Sequence, residues 1–75
     1  MMVDRDSTSW QIQARLAARK MSRNAFADKA GVSARTLYLS MAGRQDFTLD
    51  VLVKCAKYFG CTMEDLLQPI PSDYQ

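Results

Sequence analysis

Ten cations and no histidine set the chemistry open to this 75-residue chain. Seven of the cations (Arg15, Arg19, Lys20, Arg23, Lys29, Arg35 and Arg44) fall between Trp10 and Gln45 with one carboxylate, Asp28, among them. That segment alone is +6, although the whole chain is only +2. From Asp46 onward the balance reverses to −3, and the first nine residues add −1. Guanidinium and ammonium groups gathered in one half of a small domain are suited to charge-assisted hydrogen bonds with a polyanion.

The groups that catalysis needs are missing from the same inventory. There is no histidine, no paired-carboxylate pattern, no glycine-rich phosphate loop and no nucleophile with an evident base, so the chain reads as a non-enzyme. Cys55 and Cys61 are too few for a disulfide framework, and without histidine they cannot complete a four-ligand zinc site from one chain. They read as small buried hydrophobes in a reducing cytoplasm. No cofactor, metal or small-molecule ligand is expected. No run of eighteen apolar residues is present, and MMVDRDSTSW lacks the apolar centre of a signal peptide; the expected location is cytoplasmic, without a membrane partner.

An apolar share of 48% with 24% charged residues is that of a globular chain. At this length only about 60% of the surface can be buried, which favours short helices packed closely. Four helix starts are written in the sequence. Ser22, Ser33, Thr48 and Thr62 each provide an N-cap hydroxyl. Each is flanked by an apolar pair at staple spacing: Met21/Phe26, Val32/Leu37, Phe47/Leu52 and Cys61/Leu66. An earlier helix is expected to start at a capping box, Thr8-x-x-Gln11, with Ile12 and Leu16 on one face.

The second helix reads as RNAFADKA ending at Gly31, the third runs from Ser33 to Gly43, and the fourth is LDVLVKCAKYF ending at Gly60. The fifth is MEDLL, stopped by Pro69 and Pro71. On helix four, Leu49, Leu52, Ala56 and Phe59 form the main apolar stripe, and Val51, Cys55 and Tyr58 form a second one. Residues 1–7 read as a flexible arm, 8–68 as the domain and 69–75 as a tail.

Only Gly31, Val32 and Ser33 join the second helix to the third, a connection that sets two helices at a steep angle. With LAARKMSRNAFADKAGVSARTLYLSMAGR followed by FTLDVLVKCAKYFGCTMEDLL, the chain resembles the Cro/repressor type of helix-turn-helix protein, the xenobiotic-response-element-like family. The resemblance covers roughly Gln11 to Leu67. It implies an all-α, five-helix domain of the lambda-repressor-like kind, in which helix three lies in the major groove of double-stranded DNA. It also implies a homodimer on a pseudo-palindromic operator, and a repressor encoded by a phage or a bacterium.

Helical geometry at about 100° per residue sets Leu37 inward with Ser40 and Met41 beside it, and Arg35, Leu39 and Ala42 outward with Tyr38 at the edge. The family's base-contacting places fall on Ser33, Ala34, Arg35 and Leu39, with Tyr38 nearby. Arg35 is suited to guanine, and Ala34 or Leu39 to thymine methyl groups. Phosphate contacts are expected from Arg23 and Asn24 at the start of helix two and from Arg44 and Gln45 after helix three. Arg19 ranks behind them, because it can instead complement the end of helix one.

Three residues depart from the family pattern: Arg23 where glutamine is common, Leu39 where a polar side chain is usual, and Ser40 where an apolar one is usual. The second stripe of helix four and a C-terminal contact through Leu67, Ile70 and Tyr74 are both candidate dimer seams, with Trp10 able to add to either, and the resemblance favours the C-terminal one. The competing reading is a protein-binding module on the same scaffold, an antitoxin or anti-repressor with incidental DNA affinity, supported by Tyr38 and Leu39 on the outward face.

Overall fold

The computed structural model describes residues 5–74, without the side chains of Arg5 and Tyr74. Five α-helices follow one another: α1 (Arg5–Ala18), α2 (Arg23–Ala30), α3 (Ala34–Met41), α4 (Leu49–Phe59) and α5 (Met63–Leu66), with a final 3-10 turn over Ser72–Tyr74. The whole measures 31 × 27 × 21 Å. Among the described residues there is no strand, and no helix is long and apolar enough to cross a membrane.

The four expected caps start the four later helices. Ser22 Oγ accepts from the Ala25 N–H, Ser33 Oγ from Thr36, Thr48 Oγ1 from Val51 and Thr62 Oγ1 from Asp65, at 3.1, 3.3, 3.2 and 3.1 Å. Each satisfies a first-turn donor that the helix itself cannot. At α5 the arrangement is reciprocal, because Asp65 Oδ2 also accepts from the Thr62 N–H at 3.0 Å.

Hydrogen bonding from Thr62 to the carboxylate, by its backbone N–H foremost and its side chain second, holds the Asp65 carboxyl below its ordinary value. A carboxyl depressed in the folded state stabilises the fold above its unfolded pKa, and that contribution is lost as pH falls through the folded value. Asp65→Asn is therefore expected to lower stability at neutral pH and to flatten its further loss below about pH 4, so that variant and wild type converge in acid. Urea melts at a series of pH values check this.

α1 begins earlier than its sequence suggests. The expected start at Thr8 and the arm over residues 1–7 give way to a helix already formed at Arg5; residues 1–4 lie outside the described residues. The expected capping box is not made, because Thr8 and Gln11 sit inside the helix on the buried stripe that Ile12 and Leu16 continue. Gln11 donates from Nε2 to the Gln68 and Pro69 carbonyls at 3.2 and 3.4 Å, while its Oε1 accepts from Arg15. Ser9 Oγ donates to the Met41 carbonyl at 3.0 Å. Partners distant in sequence thus replace the local cap and tie α1 to the ends of α3 and α5.

The core gathers side chains from every helix, the largest share from α4: Ile12, Phe26, Leu37, Leu52 and Leu66 are among its fully buried members. Each such burial contributes about 1.5–3 kcal/mol before chain entropy is set against it. α2 packs on α3 and α4, α1 on α3 and α5, and α4 on α5, so α3 is held chiefly by α1 and α2.

On α4 both apolar stripes are buried through Val51, Leu52, Cys55, Ala56 and Phe59. Leu49, expected in the main stripe, is instead 67% exposed. The buried residues occupy an arc centred about 90° from it, and it stands in the first turn, beyond the reach of the neighbouring helices. Cys55 lies fully inside, and burial, with Cys61 nearby, pushes its thiol up to about 11. It is a protonated packing residue.

Candidate nucleic-acid interface

The α2–α3 turn owes its angle to Gly31. At φ 76° this residue adopts the left-handed conformation that side chains disfavour, and its N–H returns to the Ala27 carbonyl. The next N–H, of Val32, also bonds to Ala27 at 2.9 Å, while the Val32 side chain turns into the core. α3 then begins at Ala34, capped by Ser33. Leu37 and Ser40, both fully buried, and half-buried Met41 hold α3 to the domain.

Ser40 shows how a hydroxyl is accommodated where an apolar residue is usual. Its Oγ donates to the Asp46 carbonyl at 3.3 Å, pinning the loop after α3 instead of leaving a buried group unsatisfied. That loop is fixed a second time by Gln45, whose Nε2 donates to the Thr36 carbonyl at 3.4 Å, and a third by the Arg44 N–H on Leu39 at 2.8 Å.

With its inner face committed, α3 presents its tip outward. Ser33, Ala34 and Arg35 are exposed, and Arg35 forms no ion pair among the described residues. Ser33 uses its oxygen as the cap acceptor, which leaves its hydroxyl proton available to an outside acceptor. Leu39 is half-buried, less outward than helical geometry suggests, and Tyr38 is 43% exposed.

Arg23, the first residue of α2, does not extend freely into solvent. Its guanidinium lies over the Tyr38 ring, 4.9 Å from the centroid, bringing together a residue expected at phosphate and one expected at a base edge or a phosphate. Asn24 beside it is exposed, as is Arg44 after the end of α3.

Arg19 is engaged elsewhere. Its guanidinium covers the Phe59 ring at 4.8 Å and donates to the Arg15 and Phe59 carbonyls, at the ends of α1 and α4. It performs the dipole-complementing role that competed with phosphate contact. Of the dimer candidates, Leu67 and Ile70 are half-buried, and the Tyr74 side chain lies outside the described residues.

The arrangement is therefore a protruding helix tip with one unpaired cation. It is flanked by a second helix N-terminus whose partial positive charge adds to that of Arg23. Such a surface can hydrogen-bond to anions and to polar groups lying in a groove. It has no counterpart of a metal site: among the described residues no three His, Cys, Asp or Glu side chains gather closely enough to hold a metal ion.

Comparison with known proteins agrees with this geometry. The family model for the Cro/C1-type HTH DNA-binding domain matches residues 11–72. A hypothetical transcription factor, NHTF from Neisseria, has a similar structure, with a TM-score of 0.80 at 18% identity over 93% of this chain and 79% of its own. The apo form of the competence regulator ComR from Streptococcus vestibularis superposes with a TM-score of 0.72 at 32% identity. That match spans 93% of this chain but only 25% of ComR. No curated protein matches the sequence.

Proposed function

The chain belongs to the Cro/C1-type helix-turn-helix DNA-binding family, and from that premise we propose that it is a sequence-specific regulator of transcription, a repressor acting as a homodimer on a pseudo-palindromic operator. The observation that carries this is the tip of α3: Ser33, Ala34 and Arg35 stand exposed at the end of a helix whose other side is bonded into the core. In the major groove, Arg35 takes a guanine edge, Ala34 and Leu39 meet thymine methyl groups, and Ser33 offers its hydroxyl. Arg23, Asn24, Arg44 and Gln45 contact backbone phosphates. Gln45 has one amide bond already committed to Thr36, so its contribution is the smaller. Arg19 serves the fold.

One such domain covers too little DNA for tight selective binding, and a dimer doubles the contact area. The C-terminal segment, with the partly exposed Leu67 and Ile70 together with Tyr74, is the proposed seam. A protein-binding role on the same scaffold has one observation in its favour. Leu49 and Val53, one turn apart on α4, are 67% and 41% exposed. Its earlier support is weaker, since Leu39 is half-buried and Tyr38 is partly covered by Arg23.

Selection from random duplexes at two salt concentrations separates the readings. The expected result is a palindromic site bound with steep salt dependence. With Arg23 and Arg44 from each protomer on phosphates, affinity falls about a hundredfold between roughly 50 and 200 mM salt. Weak, sequence-blind binding would favour the protein-binding reading, and salt-insensitive binding would argue against the phosphate contacts.

A further inference from the structure

Arginine at the start of α2 poses a physical problem. Its long side chain has four rotatable bonds, and fixing it on a phosphate costs more conformational entropy than fixing a shorter amide. The structure shows where that cost is met. The guanidinium lies over the Tyr38 ring with its carbon 4.9 Å from the centroid, its Nε is buried without a hydrogen-bond partner, and no carboxylate pairs with it among the described residues. With the ring beneath the guanidinium and Nε buried, the Nη1–Nη2 edge, which makes no hydrogen bond among the described residues, is left for an outside acceptor. That edge matches two oxygens of one phosphodiester.

We propose that Tyr38 is a positioning residue that holds the Arg23 guanidinium in place for a backbone phosphate of duplex DNA, and that it reads no base itself. This rests on the DNA-binding reading above and deepens it by assigning Tyr38 to the phosphate anchor. Because Tyr38 lies one turn beyond Ala34 and Arg35, the stack also ties the rotation of α3 to the phosphate that Arg23 grips. A stacked cation is attracted by the ring face and not by the hydroxyl, so phenylalanine preserves the role and an aliphatic side chain does not.

The test compares wild type, Tyr38→Phe, Tyr38→Leu, Tyr38→Ala, Arg23→Ala and the Arg23→Ala/Tyr38→Ala double variant. The probe is a fluorescent mixed-sequence duplex of about 20 base pairs, titrated between roughly 50 and 200 mM salt. Base preference is read separately by duplex selection. Tyr38→Phe is expected to bind within about twofold of wild type. Tyr38→Ala and Tyr38→Leu lose about threefold to fivefold on every sequence and take away part of the salt slope that Arg23→Ala removes. In the Arg23→Ala background, Tyr38→Ala adds nothing. Melting midpoints stay within a few degrees of wild type, because Tyr38 is outside the core.

Equal losses for Tyr38→Phe and Tyr38→Ala, additive losses in the double variant, or a changed preference at one base pair would each overturn the proposal. If wild type binds DNA and Tyr38→Ala matches it, only the stacking role fails. A wild type with no affinity for duplex DNA overturns the DNA-binding reading and this proposal together.

Discussion

Phe26→Ala is expected to cost about 3–5 kcal/mol of folding stability, at the upper end for a core truncation. The total for a chain of this length is about 4–11 kcal/mol, so one substitution removes a large share of it. Phe26 is fully buried and stands at the centre of an aromatic group. Its ring stacks on Phe59 at 4.8 Å and 12° and meets Tyr58 edge-on at 5.3 Å and 77°; Tyr58 and Phe59 are themselves edge-to-face at 5.8 Å. Each such pair adds about 0.5–1.5 kcal/mol beyond the area it buries.

The walls around Phe26 have little freedom to close on a cavity. Arg19 covers the Phe59 ring, and the Tyr58 hydroxyl donates to Met21 Sδ at 3.7 Å. Because Phe26 is the link between α2 and α4, its loss also loosens the platform on which α3 is mounted, and DNA affinity should fall with stability. A urea midpoint shift worth less than about 1 kcal/mol would show that the helices repack around the gap.

The four later helices were legible because their signals are local. A hydroxyl cap and a staple lie within six residues of each other, and Ser22, Ser33, Thr48 and Thr62 all make the bond their positions imply. The start of α1 was not legible for the opposite reason. Thr8 and Gln11 match a capping box, yet the acceptors that use Gln11 are Gln68 and Pro69, more than fifty residues away.

The end of α1 hid in the same way. It closes on Lys20 in the left-handed region at φ 52°, where glycine would have marked it. In the candidate interface, the exposure of Ser33, Ala34 and Arg35 follows from helical phase alone. The pairing of Arg23 with Tyr38 joins two helices across fifteen residues, and neither phase nor composition encodes it.

Arg35→Ala should cost about 1–3 kcal/mol on the best operator, a loss of roughly fivefold to more than a hundredfold, and should flatten the preference at one base pair per half-site. The expectation follows from what Arg35 lacks within the protein. It is exposed and makes no ion pair among the described residues. Replacing it leaves the Ser33 cap and the Leu37 anchor intact, and folding stability should change by less than about 0.5 kcal/mol.

The loss should also be confined to specific binding. Arg44→Ala, at a proposed phosphate contact, should weaken all sequences alike and reduce the salt slope by about one per protomer, whereas Arg35→Ala should do most of its damage on the selected site. Arg35→Lys sharpens the distinction: lysine keeps the charge but cannot present two parallel donors to guanine in one plane, so the salt slope should survive while the base preference weakens. Should Arg35→Ala retain the full sequence preference, guanine recognition would have to lie elsewhere on the tip of α3.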